Sequence, residues 1–398
     1  MRAVYVDNNA TTKVAEEVVE EMLPYFSDYY GNPSSMHFFG GQVEKVLVNA
    51  REKVADFLGA ESSEIIFTSC GTESDNAAIR GVIESYPQKR HIVTTRVEHP
   101  AVLNLCTHLR KQGYRVTELG VDKKGRIGLD ELRESITDDT VLVSIMYANN
   151  ETGVIFPIEE AGEIIKSKGV IFHCDAVQAA GKIPLDMRKS TIDLLSLSGH
   201  KLHAPKGVGA LYVRKGTRFM PFIIGGHQES GRRGGTENIP YIVGLGKACL
   251  LAAKNIKEEQ MRVKKMRDRL EVELLKRCPD VRVNGDRDNR LPNTLSMSFE
   301  YVEGESILLL MSEKGIAASS GSACTSGSLE PSHVMRAMGI PFTAVHGSIR
   351  FSLSRYNTNE DIEYIIENVP PIIYHLREIS PFGREKLPSR ERILTLKS

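Results

Sequence analysis

The sequence predicts an α/β protein: a large domain built on a mainly parallel mixed sheet, and a smaller α/β (α+β) domain. Three observations carry this expectation. Between about residues 60 and 225, short β-rich runs alternate with helical stretches, the pattern of strands joined by helical crossovers. The runs are continuously apolar and do not alternate, as strands covered on both faces must be. Beyond residue 254 the pattern changes to a long charged helix followed by short strands and helices. With 398 residues the chain is long enough for two domains. We place the large domain at 15–259 and the small one at 1–14 plus 260–398.

In chain order, residues 1–7 read as a short strand. Apolar runs follow at 65–68, 92–95, 141–145, 170–172 and 194–197, each expected to be a buried strand. The stretch 207–213 opens on Gly207 and Gly209, which suits an antiparallel strand after a tight turn. From 254 to 277, Val263, Met266, Leu270 and Leu274 recur at helical spacing among charges, predicting a helix with one buried stripe. Strands are expected at 295–299 and 348–353. The tail after Pro381 is basic and polar and reads as a loosely held end.

Composition excludes several classes. Lys and Arg total 51 and Asp and Glu total 51, so the basic excess of a nucleic-acid binder is missing. The six cysteines form no C-x-x-C pair, which argues against a zinc ribbon or a thioredoxin-type site. The first residues lack the apolar core of a signal peptide, and the most apolar stretch, 243–253, is too short to span a bilayer. The expectation is a cytoplasmic protein with free thiols and no membrane partner.

Chemistry concentrates where the predicted strands end, the place where open α/β sheets bind ligands. Cys70-Gly71-Thr72-Glu73-Ser74 follows the first run and leads into a helix, whose free N–H groups and dipole suit a phosphate; a plain helix cap is the alternative. Glu98-His99-Pro100 follows the second run, Asn149-Asn150-Glu151 the third and His173-Cys174-Asp175 with Gln178 the fourth. Ser198-Gly199-His200-Lys201 follows the fifth. A phosphate cradle, an acid, a histidine and a lysine at one sheet edge suit pyridoxal phosphate, whose chemistry needs a Schiff-base lysine and an acidic partner for its ring nitrogen. A metal site using His173, Cys174, His200 and His203 is a weaker alternative, since only His200 and His203 approach zinc-ligand spacing.

These motifs, with Val6-Asp7-Asn8-Asn9-Ala10-Thr11-Thr12, the segment 231–238 and the hydroxyl-rich run 319–333 around Cys324, make the chain recognisable. It resembles the group I cysteine desulfurases of the NifS/IscS type, fold-type I pyridoxal-phosphate enzymes of aminotransferase class V, and most closely the nitrogenase-associated NifS branch. The resemblance runs from residue 6 to about 371. It implies that Lys201 holds the cofactor, that Asp175 pairs with its ring nitrogen, and that His99 stacks on the ring and assists proton transfer. Gln178 and Asn150 would lie near the ring hydroxyl and the substrate. Gly71, Thr72, Ser198 and His200 would hold the phosphate, with Thr236 reaching it from the neighbouring subunit of a homodimer with shared active sites. Arg350 would clamp the substrate carboxylate.

Cys324 is unusual even without the resemblance. Its neighbours are small and hydroxyl-rich, which predicts a polar loop, whereas a structural cysteine sits among apolar side chains. The resemblance makes it the nucleophile that takes sulfur from L-cysteine as a persulfide, leaving L-alanine, with His99 the candidate base for its thiol. An iron–sulfur scaffold protein is the implied acceptor, with nitrogenase maturation as one outlet. No metal is required, and an iron–sulfur cluster would meet the persulfide only during transfer. The competing activities are a selenocysteine lyase and a β-lyase giving pyruvate; the latter would not need Cys324.

Overall fold

A computed structural model describes residues 2–320 and 331–380. Seven strands form the main sheet: β2 (Ile65–Thr68), β3 (His91–Thr95), β4 (Arg115–Leu119), β5 (Thr140–Ser144), β6 (Ile171–Asp175), β7 (Leu194–Ser198) and β8 (Gly209–Val213), numbered after β1 (Val4–Tyr5). Their order is β2-β8-β7-β6-β5-β3-β4, and every pairing is parallel except those of β8, which runs antiparallel to β2 and β7. Five expected strands and the antiparallel one are therefore present. The exception in the reading is β4, whose Arg115 is exposed and whose next three residues are half-buried. An edge strand covered on only part of its surface carries no continuous apolar run, so nothing in its composition announced it.

Successive residues of each strand serve opposite faces. Ile66, Ile92, Leu142 and Leu211 pack under the helices Gly71–Ser85 and Pro100–Lys111. Phe67, Val93, Val143 and Leu197 pack against the helices Phe38–Leu58, Ile158–Ser167 and the first part of Ile239–Arg277.

That last helix is 39 residues long, where the sequence reading found only its charged second half. Ile242, Val243, Leu245 and Ala248 belong to the main core, and Val263, Met266, Leu270 and Leu274 to a separate one. By length and composition alone the helix is long and apolar enough to cross a bilayer, a test that a buried core helix also passes. Its buried apolar side chains are divided between two cores, while Leu250, Met261 and Val272 are exposed.

The second core lies against the antiparallel sheet β12-β10-β9, made of β9 (Val281–Val283), β10 (Thr294–Phe299) and β12 (Ser348–Ser352). β1 pairs in parallel with β11 (Ile316–Ala317), which brings the start of the chain beside it. The helix Asn359–Ile379 covers this core; Pro370 and Pro371 lie within it, and Thr358 caps it reciprocally with Asp361. Leu291, Val334 and Met338 pack into the main core and tie the two bodies together.

Candidate active site

The carboxyl ends of the parallel strands open into a cavity of about 340 Å3. Its floor begins where β2 turns into the helix Gly71–Ser85. Cys70 precedes that helix in an extended conformation and makes no side-chain cap, so capping does not consume the first amides. Gly71 permits close approach: a Cβ there would come within 2.9 Å of Val177 Cγ2 and 3.3 Å of Ser198 Cβ. Beside it the Ser198 hydroxyl is buried with no hydrogen-bond partner. Thr72 lines the same end. His200 completes it, with Nδ1 3.2 Å from Thr11 Oγ1. Burial and then the Lys201 charge push the His200 imidazole down to about 4, so the ring is neutral near pH 7.

Asp175 stands at the end of β6, 6% exposed, and accepts a 2.9 Å hydrogen bond from the Val177 N–H. Burial raises its carboxyl to about 6, opposed by that N–H and by the Lys201 charge. Asp75, 1% exposed, lines the same cavity, with Oδ1 3.6 Å from His173 Nε2. Burial and the Asp175 charge hold the Asp75 carboxyl well above its ordinary value. Burial and the neighbouring Asp175 charge favour the neutral form of Asp75, which leaves Asp175 as the more readily ionised of the two. The sequence reading missed Asp75. Its only signal was a charged residue on the inward face of a helix otherwise lined there by Ser74, Ala77 and Ala78.

Lys201 closes the short 3₁₀ turn Gly199–Lys201 after β7. Its ammonium donates to the Asn9 carbonyl and, at 2.7 Å, to the Ala10 carbonyl. Gln178 Nε2 donates to the same Asn9 oxygen at 3.0 Å. The turn at the start of the chain is thus part of the wall, a contribution the sequence reading did not assign to these residues.

His99 caps the helix Pro100–Lys111, its Nδ1 accepting the Ala101 N–H at 3.2 Å. Burial, Lys201 and His333 lower the ring to about 4. A neutral ring whose Nδ1 accepts carries its hydrogen on Nε2. At rest His99 is therefore a donor, and taking up a proton requires Nδ1 to release Ala101.

Arg350, on β12, reaches the cavity from the second body. It is 3% exposed, with Nη1 donating to the Asn150 carbonyl at 2.9 Å and Nη2 to Asp7 Oδ1 at 2.8 Å. Asn150 also lines the cavity. Of the residues singled out from sequence, Thr236 lies exposed outside the cavity, and Cys324 lies outside the described residues. The chain on either side of 321–330 is nevertheless fixed at this wall. The Arg350 N–H donates to the Ser319 carbonyl at 2.6 Å, Ser332 Oγ donates to Glu151 Oε2 at 2.5 Å, and His333 Nε2 donates to the Glu98 carbonyl at 2.9 Å.

The residues of the metal alternative are spent elsewhere. His173 is buried between Ser144 Oγ at 2.8 Å and Ser196 Oγ at 3.0 Å, and His203 Nδ1 donates to the Lys13 carbonyl at 2.8 Å. Among the described residues no group of three His, Cys, Asp or Glu is arranged to hold a metal ion.

Comparison with known proteins bears on this geometry. Residues 4–365 match the family model of aminotransferase class V. A cysteine desulfurase of Trichormus azollae is 62% identical over 97% of this chain and 96% of its own length. The cysteine desulfurase NifS of Azotobacter vinelandii is 57% identical over 96% of this chain and 95% of its own. Among solved structures, a NifS-like protein superposes with a TM-score of 0.89 at 41% identity, covering 94% of this chain and all of that one. The chain belongs to the aminotransferase class V family, a family of pyridoxal-phosphate enzymes, and within it to the cysteine desulfurases of the NifS type.

Proposed function

We propose that this protein binds pyridoxal 5'-phosphate and converts L-cysteine to L-alanine, moving the sulfur onto Cys324. The observation that carries this is the convergence on one cavity of Asp175 and Lys201, from the adjacent ends of β6 and β7, with Arg350 from β12 of the second body. The residues fit the cofactor. The orphaned Ser198 hydroxyl, the uncapped amides after Cys70 and the Cβ-free approach at Gly71 suit a phosphate. The buried Asp175 carboxylate suits a ring nitrogen that carries a proton. Bound there, the cofactor would supply an electron sink for the pair left when the substrate loses its α-proton.

The chain's own groups then divide the work. Lys201 is the covalent anchor and the nearest amine for moving the α-proton. Arg350 holds the substrate carboxylate through a planar fork that matches two oxygens. His200 and Gln178 would hold the cofactor, and neutral His99 would pack against it. The Cys324 thiolate attacks the substrate sulfur: the carbon–sulfur bond breaks, a sulfur–sulfur bond forms, and the substrate carbon gains a proton. L-cysteine and one thiol become L-alanine and one persulfide, with no outside oxidant.

The same reading makes the protein a cytoplasmic homodimer that delivers sulfur to an iron–sulfur scaffold. Leu23, Phe26, Tyr30, Met36, Phe38 and Ile224 are exposed large apolar side chains, which suits a surface covered by a second copy. Thr236 lies in an exposed segment between Ile224 and the helix Ile239–Arg277. Apart from Leu291, Val334 and Met338, which pack into the first, the two cores would be the interiors of the domains 15–259 and 1–14 plus 260–398.

The test is alanine and sulfide released from L-cysteine with a thiol reductant, wild type beside Cys324→Ala. Equal amounts of both products from wild type, and neither from a variant that keeps its cofactor absorbance, are expected. Pyruvate and ammonia in place of alanine, or unchanged turnover by the variant, would make the protein a β-lyase.

A further inference from the structure

We propose that Asp7 is the positioning residue of the substrate clamp: it braces the Arg350 guanidinium from outside the cavity and leaves the remaining N–H groups turned toward the substrate. The inference rests on the reading of Arg350 as the carboxylate clamp and extends it to a residue 343 positions away in sequence.

A guanidinium has five N–H donors and no acceptor. Here Nη2 donates to Asp7 Oδ1 at 2.8 Å and Nη1 to the Asn150 carbonyl at 2.9 Å, while Nε is buried without a partner. A buried donor left unpaired is costly and marks a place where an acceptor belongs. Arg350 and Asn150 line the cavity and Asp7 does not, so the aspartate grips the fork from behind.

Asp7 is itself held. Its backbone bridges to Ser352, two residues along β12, and the Asn8 amide donates to the Ser352 carbonyl at 2.9 Å. The Arg350 main chain is clamped on its two sides by Ser296 of β10 and by Ser319. Aspartate and arginine therefore project from neighbouring strands, and the angle of the guanidinium follows from the pairing of those strands.

Two effects of the Asp7 charge oppose each other. It neutralises Arg350 at rest, which weakens the pull on a substrate carboxylate. It also fixes the fork in one orientation, which removes the entropy that a free arginine would lose on binding. Arg350 is 3% exposed, which strengthens both effects, so the sign of the change in L-alanine affinity when Asp7 is removed shows which one wins.

The experiment titrates the holoenzyme with L-alanine and with L-alanine methyl ester, which lacks the anionic carboxylate, by calorimetry, and measures KM and kcat for L-cysteine. In Asp7→Ala, L-alanine should bind about tenfold more weakly and KM should rise by the same factor, the size of one lost charge-assisted hydrogen bond, with kcat at saturation and ester binding unchanged. Asp7→Ser, whose hydroxyl is too short to reach Arg350, should repeat this result if the alanine variant does not fold. Asp7→Asn keeps an oxygen for Nη2 and should stay within about threefold of wild type. Tighter binding of L-alanine in these variants would make Asp7 only a counter-ion, and an equal loss for the ester would make it only structural; either overturns the proposal. Arg350→Ala separates the two readings. If it leaves the preference for L-alanine over the ester intact, the clamp itself is wrong. If it abolishes that preference while the Asp7 variants keep it, only the role of Asp7 fails.

Discussion

Glu98 precedes His99 and is wholly buried, with Oε1 accepting from Thr95 Oγ1 at 2.8 Å and the Met146 N–H at 2.9 Å, and Oε2 without a partner. Burial pushes its carboxyl up to about 8, so it is a neutral acid in the folded enzyme at neutral pH. The linkage follows from that sign. In the unfolded chain this group ionises near its ordinary value of 4.5, whereas the folded chain retains the proton until about 8. Stability drains away as pH rises through that window and levels off above it. Glu98→Gln has no proton to retain. Its stability relative to wild type should improve by up to about 1.4 kcal/mol per pH unit between about pH 5 and 8, then stay level. Paired thermal melts across that range measure it, and a difference that does not vary with pH would mean that Glu98 is ionised in the fold. His99, one residue on, is displaced the other way by the same burial, so neighbouring groups at one strand end are both held uncharged.

At the scale of elements, the helix Ile239–Arg277 carries the most weight, because it is shared by both cores. Its approach to the helix Phe38–Leu58 is set at Gly246, where a Cβ would stand 3.0 Å from Ala50 Cα and 3.1 Å from its carbonyl oxygen. Backbone atoms cannot turn aside as a side chain can. Gly246→Leu should force the helices apart and cost about 1–3 kcal/mol, read as a lower Tm. Gly41, in the partner helix, has nothing within 4 Å of its Cβ position. Gly41→Ala should raise stability by up to about 1 kcal/mol, since it restores helix propensity without a clash. Equal effects from the two substitutions would show that the helices do not touch at Gly246.

For the molecule as a whole, the exposed apolar side chains are the feature that a single copy does not account for. Ile224 is 87% exposed, and Met36 and Phe38 are comparably open to water. Sedimentation of the wild-type enzyme should give twice the chain mass. Ile224→Lys should shift the population toward monomer, because a buried lysine without a partner is costly at an interface. If Thr236 serves the neighbouring subunit's phosphate, that monomer should also release cofactor on dilution, read from its absorbance. A wild-type protein that sediments as a monomer would remove both the dimer and the shared site.

What the sequence determined by itself is the part governed by local pattern. Strands covered on both faces must be continuously apolar, so β2, β3, β5, β6 and β7 were legible, and residues at their ends line the cavity. Lys201, Asp175, His99 and the turn at Gly71 were readable because strand ends converge in any open parallel sheet. The half-covered edge strand β4 and the apolar half of the helix at 239–252 were not, since the first lacks an apolar run and the second lacks a polar face. Only the tertiary structure decided which distant residues share a wall. Asn9 meets Lys201, Asp75 shares the cavity with Asp175, and Asp7 grips Arg350 across 343 residues. Those meetings depend on how β1, β11 and β12 bring the start of the chain to the sheet's edge, and no local periodicity encodes the pairing of segments so far apart.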